Sequence, residues 1–227
     1  MIYILGGIHC DKKLYNQIIK ILKKIKPDLV CLEELTNDKE VIRACNYFIK
    51  GKISLVKFKE LTKFEKYWFD FEPYKKLFLY LQKNKIKIYP IDHKLKERIK
   101  LIKLEKKILK ELKENKNIAK LKKMEEKISV FDREDKMAKN ISKGIKKFKS
   151  KNTCVIIGIN HTKRIKKSLS TLGYKVKSKD ISNKRNIDGY LDRIYKYAVK
   201  RKIESLKIPP FVPVFVLVFR KIEKNVK

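Results

Sequence analysis

Glycine and proline are scarce in this chain, with seven and six among 227 residues. So few breakers exclude a loop-built or low-complexity protein and leave little room for long irregular connections. Acidic residues are also in short supply, 25 against 60 lysines and arginines, for a formal charge of +35. The four cysteines, Cys10, Cys31, Cys45 and Cys154, show none of the paired spacings of zinc ribbons or redox motifs. Cys31 and Cys154 fall inside strand-like runs, where a free thiol behaves as a small buried hydrophobe, and a reducing compartment is expected. There is no glycine-rich phosphate loop, no Gly-x-Ser-x-Gly elbow and no established nucleic-acid-binding motif. The longest apolar run, Ile208 to Phe219, holds three prolines and is too short to cross a bilayer. No signal peptide is visible in the opening residues. The expectation is a cytoplasmic protein without a transmembrane segment.

What is present supports a folded core. Hydrophobic residues make up 43% of the chain, with eleven each of Tyr and Phe, which argues against disorder. The length fits a single α/β domain over 1–227. The positive charge has two readings. It attracts polyanions, so nucleic acid bound through non-specific charge is one candidate partner. Alternatively it reflects a proteome-wide lysine bias, which the even spread of Lys and the low share of Arg favour.

Two stretches share one pattern: a short apolar strand, then Gly-x-x-His. These are Ile2-Tyr3-Ile4-Leu5-Gly6-Gly7-Ile8-His9 and Thr153-Cys154-Val155-Ile156-Ile157-Gly158-Ile159-Asn160-His161. Between them, Leu14, Ile18, Ile19, Leu22 and Ile25 repeat at helical spacing and stop at Pro27. A second apolar strand follows, Asp28 to Glu34, ending in Glu33 and Glu34. Strand, helix, strand at this spacing is a βαβ unit with parallel strands. Residues 38–83 are helix-patterned with a break near Gly51, and their aromatic cluster (Phe64, Tyr67, Trp68, Phe69, Phe71) reads as core or pocket wall. Lys87 to His93 is a third strand ending in Asp92 and His93, and Pro90 counts against a central position. A Lys/Glu-rich helical hairpin, turning at Glu114-Asn115-Lys116-Asn117, is expected as an insertion at about 94–130. After the second Gly-x-x-His come a helix capped by Gly173, a short strand at Tyr174-Lys175-Val176, an amphipathic helix from Ile187 to Ile203, and a last strand at Phe211–Phe219. The fold class is therefore α/β: a central, largely parallel sheet flanked by helices.

In an open parallel sheet the carboxyl ends of the strands share one edge, where ligands bind. That edge would carry His9, Glu33 with Glu34, Asp92 with His93, and His161. The glycines at 6 and 158 let the backbone turn or approach a ligand closely. Two imidazoles and a carboxylate form a ligand set for a catalytic divalent ion. Strand alternation puts Glu33 and Glu34 on opposite faces, so only one of them can reach such an ion. Arg133 is the candidate for holding a substrate carboxylate or an oxyanion. Its plainer role is a salt bridge to Glu134 or Asp135.

Gly6-Gly7-Ile8-His9, Pro27-Asp28-Leu29-Val30-Cys31-Leu32-Glu33, Asp132-Arg133-Glu134-Asp135-Lys136-Met137-Ala138 and Gly158-Ile159-Asn160-His161, in that order, resemble the TraB/PrgY/GumN family of pheromone-shutdown and Tiki proteins. That family sits within a superfamily that includes erythromycin-esterase-like and haem-uptake, ChaN-like proteins. The resemblance implies paired Gly-x-x-His motifs at the active edge and, in the Tiki branch, metal-dependent peptide hydrolysis. It implies catalytic roles for His9, Glu33, Arg133 and His161, with His9, His161 and Glu33 as metal ligands or Glu33 as general base beside the metal; Gly6, Gly158, Glu34 and Asp92, read from the strand ends, stand in support. The distance from Pro27-Asp28 matches Glu33 rather than Glu34 to the family pattern. Asp132 stands where relatives often have Glu, and Ile91-Asp92-His93 where Ile-Asp-Arg is common. The function expected is a metallopeptidase-like hydrolase using Mn, Co or Zn on a peptide or small-molecule substrate. The alternatives are a metal-free, histidine-based esterase or amidase, a basic nucleic-acid-binding protein without turnover, and a binding regulator that kept the pocket and lost turnover.

Overall fold

The strand-like runs separated by amphipathic helices become a five-stranded, wholly parallel sheet. The computed structural model describes residues 1–7, 14–64, 71–97, 99–100, 103–104, 107 and 132–181. In chain order these give β1 (Ile2–Gly7), α1 (Leu14–Ile25), β2 (Leu29–Thr36), α2 (Lys39–Ile49), α3 (Leu55–Thr62), α4 (Glu72–Lys83) and β3 (Lys87–Asp92). They continue with α5 (Arg133–Phe148), β4 (Thr153–Gly158), a short 3-10 turn (Ile159–His161), α6 (Thr162–Thr171) and β5 (Val176–Asp180). Most of the expected hairpin at about 94–130 falls outside the described residues. His9, Cys10, Tyr67, Trp68, Phe69, the helix at 187–203 and the strand at 211–219 lie outside them too. No helix among the described residues is long and apolar enough to cross a membrane.

The strands lie in the order β3-β2-β4-β1-β5, each pair parallel. The two strands of the first βαβ unit are parallel as expected, but β4 is inserted between them. β3 is an edge strand, which is where Pro90 can lack an amide donor without breaking a ladder. The last strand starts at Val176, later than the sequence pattern placed it.

Alternation along each strand sorts side chains onto two faces. Val30, Leu32, Cys154, Ile156 and Leu5 face a core filled by α1, α2, α3 and α4. Cys31, Val155, Ile157, Ile4 and Ile91 face a second core built on α5 and α6. In α1 the buried residues Leu14, Tyr15, Ile18 and Leu22 form one stripe at helical spacing. The aromatic residues on the first face are core: Phe48, Phe58, Phe64, Phe71, Tyr74 and Phe78 are all buried and in mutual ring contact. Leu172, by contrast, is exposed beyond the end of α6.

The shortage of glycine leaves a mark on the backbone. Gly51 and Gly173 adopt positive φ, but so do four lysines, Lys26, Lys63, Lys85 and Lys149. Lys149 closes α5 in the left-handed conformation that helix ends usually give to glycine. A Cβ in that region costs roughly 1–2 kcal/mol, partly offset by the greater freedom glycine has when unfolded. Lys149→Gly is therefore expected to stabilise the protein by up to about 1 kcal/mol, read as a higher midpoint in urea unfolding.

Candidate functional site

The carboxyl ends of β2, β3 and β4 are joined by one side chain from outside the sheet. Arg133 is the first residue of α5, and its guanidinium is buried, with 4% of the side chain exposed. Its Nε donates to Asp92 Oδ1 at 2.7 Å, at the end of β3. Its Nη2 donates to Glu33 Oε1 at 2.6 Å, on β2. Its Nη1 points at His161 Nε2 at 3.2 Å, beyond β4. The other oxygen of Glu33 accepts from the Gly158 amide at 2.6 Å. The two carboxylates outweigh the cost of burial and raise the Arg133 pKa above its ordinary value, so it is a permanent cation.

The hydrogen bonds assign the state of His161. Arginine has no acceptor, so the imidazole must offer the Nε2 lone pair to Nη1. The ring proton then sits on Nδ1, which donates to Glu134 Oε1 at 2.8 Å. Glu134 is in turn held by Arg164 of α6, whose Nε lies 3.3 Å from its Oε2, while Arg164 Nη2 lies 3.5 Å from Asp135. His161 is more open than the carboxylates around it, with 15% of its side chain exposed against 2% for Glu33, 3% for Glu134 and none for Asp92.

The topology explains the meeting. α1 follows β1 onto one face and α6 follows β4 onto the other, so adjacent strands β1 and β4 form a topological switch point. Gly7 and Gly158 are register partners there, which brings the strand ends of the two Gly-x-x-His motifs side by side. Gly6 serves packing: a Cβ would collide with Thr162 Oγ1 of α6 and approach Asp180. Gly158 has ordinary extended dihedrals, and its contribution is the amide it gives to Glu33.

Three of the expected site residues, Glu33, Arg133 and His161, are therefore in direct contact, with Asp92 beside them. His9 lies outside the described residues. Glu34 points to the opposite face, where its Oε1 is 3.5 Å from the Tyr15 hydroxyl. Arg133 pairs with Glu33 and Asp92 rather than with Glu134 or Asp135, which instead hold Arg164. Glu134 and Arg164 were not among the expected site residues. The available signal for Arg164 was its i, i+3 spacing from His161, which puts both on one side of a turn.

The expected divalent ion, whether Mn, Co or Zn on His9, His161 and Glu33, requires correction. Among the described residues no three His, Cys, Asp or Glu side chains are grouped to hold a metal. The physical reason is that the space between Glu33, Asp92 and His161 is filled by a cation the chain supplies itself, the Arg133 guanidinium. The strand cysteines offer no nucleophile, because burial pushes the Cys31 and Cys154 thiols upward and keeps them neutral.

His93 follows the cluster in sequence but turns aside. Its Nδ1 is 3.2 Å from Glu97, which Lys136 holds at 2.5 Å, and its Nε2 is buried without a hydrogen bond. Burial lowers its pKa. Asp92 and Glu97 pull the other way and the Arg133 charge adds to the lowering.

No family model matches the chain, and no curated protein matches it. A solved structure, described as cofacial heme binding to ChaN of Campylobacter jejuni, is similar with a TM-score of 0.57 at 15% identity, covering 81% of this chain and 82% of that one. At that identity the likeness establishes a shared fold and nothing finer. It does not single out the TraB/PrgY/GumN branch.

Two outcomes test the cluster. Arg133→Met leaves Glu33 and Asp92 buried without a counter-charge and should cost about 3–5 kcal/mol in urea unfolding, with Arg133→Lys recovering only part because it lacks the planar fork. For His93, the unfolded chain binds the proton more readily than the folded one. Its contribution to stability is therefore present above about pH 6.5 and lost as pH falls toward the lowered folded value. His93→Gln should reduce the fall in unfolding midpoint between about pH 7.5 and 5.5.

Proposed function

We propose that the chain is a metal-free hydrolase of a carboxylic ester or amide, in peptide or small-molecule form, with His161 as general base and Arg133 as the stabiliser of the anionic intermediate. The observation that carries this reading is the His161 geometry: Glu134 fixes the Nδ1–H tautomer, Nε2 carries the lone pair that Arg133 Nη1 faces at 3.2 Å, and the ring is more open to solvent than the carboxylates around it. A base within hydrogen-bond reach of an orienting carboxylate is the arrangement that general-base catalysis needs.

A water that takes the place of the Arg133 Nη1 contact at Nε2 gives its proton to that nitrogen as its oxygen bonds the carbonyl carbon. The carbonyl electron pair moves onto oxygen, and the Nη1 edge of Arg133, 3.2 Å from Nε2, is the cation that faces this charge. When the tetrahedral intermediate collapses, the same proton passes from Nε2 to the leaving oxygen or nitrogen. Glu33 and Asp92 act by holding the guanidinium in place. Membership of the TraB/PrgY/GumN branch, and a role for His9 from the first Gly-x-x-His motif, belong to the same proposal.

The structurally similar ChaN is described with haem, and a porphyrin is the natural second ligand to consider for this fold. The described histidines do not fit it. His93 is buried beside Glu97, and an iron on His161 Nε2 would meet the buried Arg133 cation that lies 3.2 Å from that nitrogen. No step is assigned to a porphyrin.

The test is turnover of a panel of nitrophenyl esters and peptide amides by protein purified without a histidine tag, in a strong chelator. Activity should persist, and His161→Ala should lower kcat by about 10²–10⁴-fold with little change in the unfolding midpoint. Glu134→Gln should lower kcat more than it raises KM. Wild-type rates in His161→Ala, or loss of activity to the chelator, would overturn the reading.

A further inference from the structure

A concave surface lies apart from the Arg133 cluster and shares no residue with it. It is a cleft of about 920 Å³ between α2 and the end of α5, along the edge strand β3. α2 contributes Lys39, Arg43 and Lys50, the entry to β3 contributes Lys85 and Lys87, and α5 contributes Lys147. Its eleven lining residues thus include six cations and no carboxylate, a richer mixture than the 60 basic and 25 acidic residues of the 227-residue chain would give on average. Among the described residues none of the six is ion-paired. Lys50 and Lys147 complement the negative ends of their helices. Lys39, Arg43, Lys85 and Lys87 have no such role, and Lys39 sits at the positive end of α2.

The cleft also has aromatic surface. Lys87 Nζ and Lys147 Nζ lie 5.3 and 5.7 Å from the ring centroid of Phe148, two ammonium groups drawn to one ring. Tyr47 lies in the lining with 42% of its surface exposed, while the aromatic cluster among the described residues is buried, and Lys52 Nζ lies 5.9 Å from the Tyr47 ring centroid as a further cation at the cleft. Like charges gathered without counter-ions repel one another, and a bound anion removes that cost. Cations along a groove with an open ring is the arrangement that holds a single nucleic-acid strand, phosphates on the lysines and a base on the ring.

We propose that this cleft binds single-stranded nucleic acid. The groove follows α2 from Lys39 to Lys50, about 16 Å at 1.5 Å per residue, which suits a short run of strand. It is concave, so a flat lipid surface does not reach its floor. Its lining contains no glycine, and its cations are long flexible side chains, so it lacks the backbone cradle that grips the phosphates of a free nucleotide.

The experiment is fluorescence anisotropy of the full-length chain with a labelled single-stranded oligouridylate across a salt series. The cleft variant is Arg43→Gln with Lys85→Gln, Lys87→Gln and Lys147→Gln. The control removes the same charge from exposed positions elsewhere, with Lys166→Gln, Lys167→Gln, Lys175→Gln and Lys177→Gln. The cleft variant should weaken binding about 100-fold and reduce the slope of log Kd against log salt by about 3, at roughly 0.7 for each phosphate that no longer meets a cation. The control should move Kd by about threefold or less. Tyr47→Ala should weaken binding by about tenfold and Tyr47→Phe should not, since stacking needs only the ring. Unfolding midpoints for every variant separate impaired binding from impaired folding. Equal weakening in the cleft and control variants would assign binding to overall charge and overturn the proposal. So would an unaffected Tyr47→Ala, or tighter binding to anionic vesicles that the cleft variant does not weaken.

Discussion

A buried guanidinium is a demanding object, because all five of its N–H groups need acceptors and its charge needs compensation at low dielectric. Arg133 turns three of them to three different strand ends: Asp92 from β3, Glu33 from β2 and His161 from just beyond β4. None of the three is near another in sequence, so the requirement can be met only when the sheet is assembled in its native order. Glu33 extends the tie through the Gly158 amide, locking β2 against β4 where the ladder ends. The start of α5 is fixed at the sheet edge by the same contacts. Position of the helix, spacing of the strand ends and orientation of His161 thus follow from one charge.

The same charge decides what chemistry the edge can host. Two carboxylates and an imidazole without Arg133 would be an invitation to a divalent ion. With the guanidinium between them, the carboxylates become its supports and the imidazole is left more exposed than they are. Glu134 then sets which nitrogen of His161 faces outward, and Arg164 steadies Glu134 from α6. The arrangement resembles a base and its orienting acid beside a fixed cation, which is the physical content of the hydrolytic reading.

The charge excess divides into two kinds. Lysine fills positions where other proteins put glycine, as at the four left-handed residues, and there it reflects what the sequence is made from. At the cleft beside β3, six cations converge without a carboxylate and around an exposed ring, which a uniform scatter does not produce. Composition is the same in both places. Geometry separates them.

The sequence by itself determined the parallel α/β class, the first four strands within two residues, and the amphipathic helices between them, because burial on a sheet face or a helix stripe imposes short-range periodicities of two and 3.6 residues. It also placed Glu33, Asp92 and His161 at strand ends, which are visible where an apolar run gives way to polar side chains, and offered Arg133 as a charge for that edge. Only the tertiary structure decided how those residues meet. Strand order is a long-range choice, and the insertion of β4 between β1 and β2 has no local signature. Arg133 was compatible with its neighbours Glu134 and Asp135 until α5 was docked, when two strand-end carboxylates outcompeted them and gave the guanidinium the place a metal ion would have taken. That choice rests on burial and charge compensation among residues up to 100 positions apart, which no local pattern records.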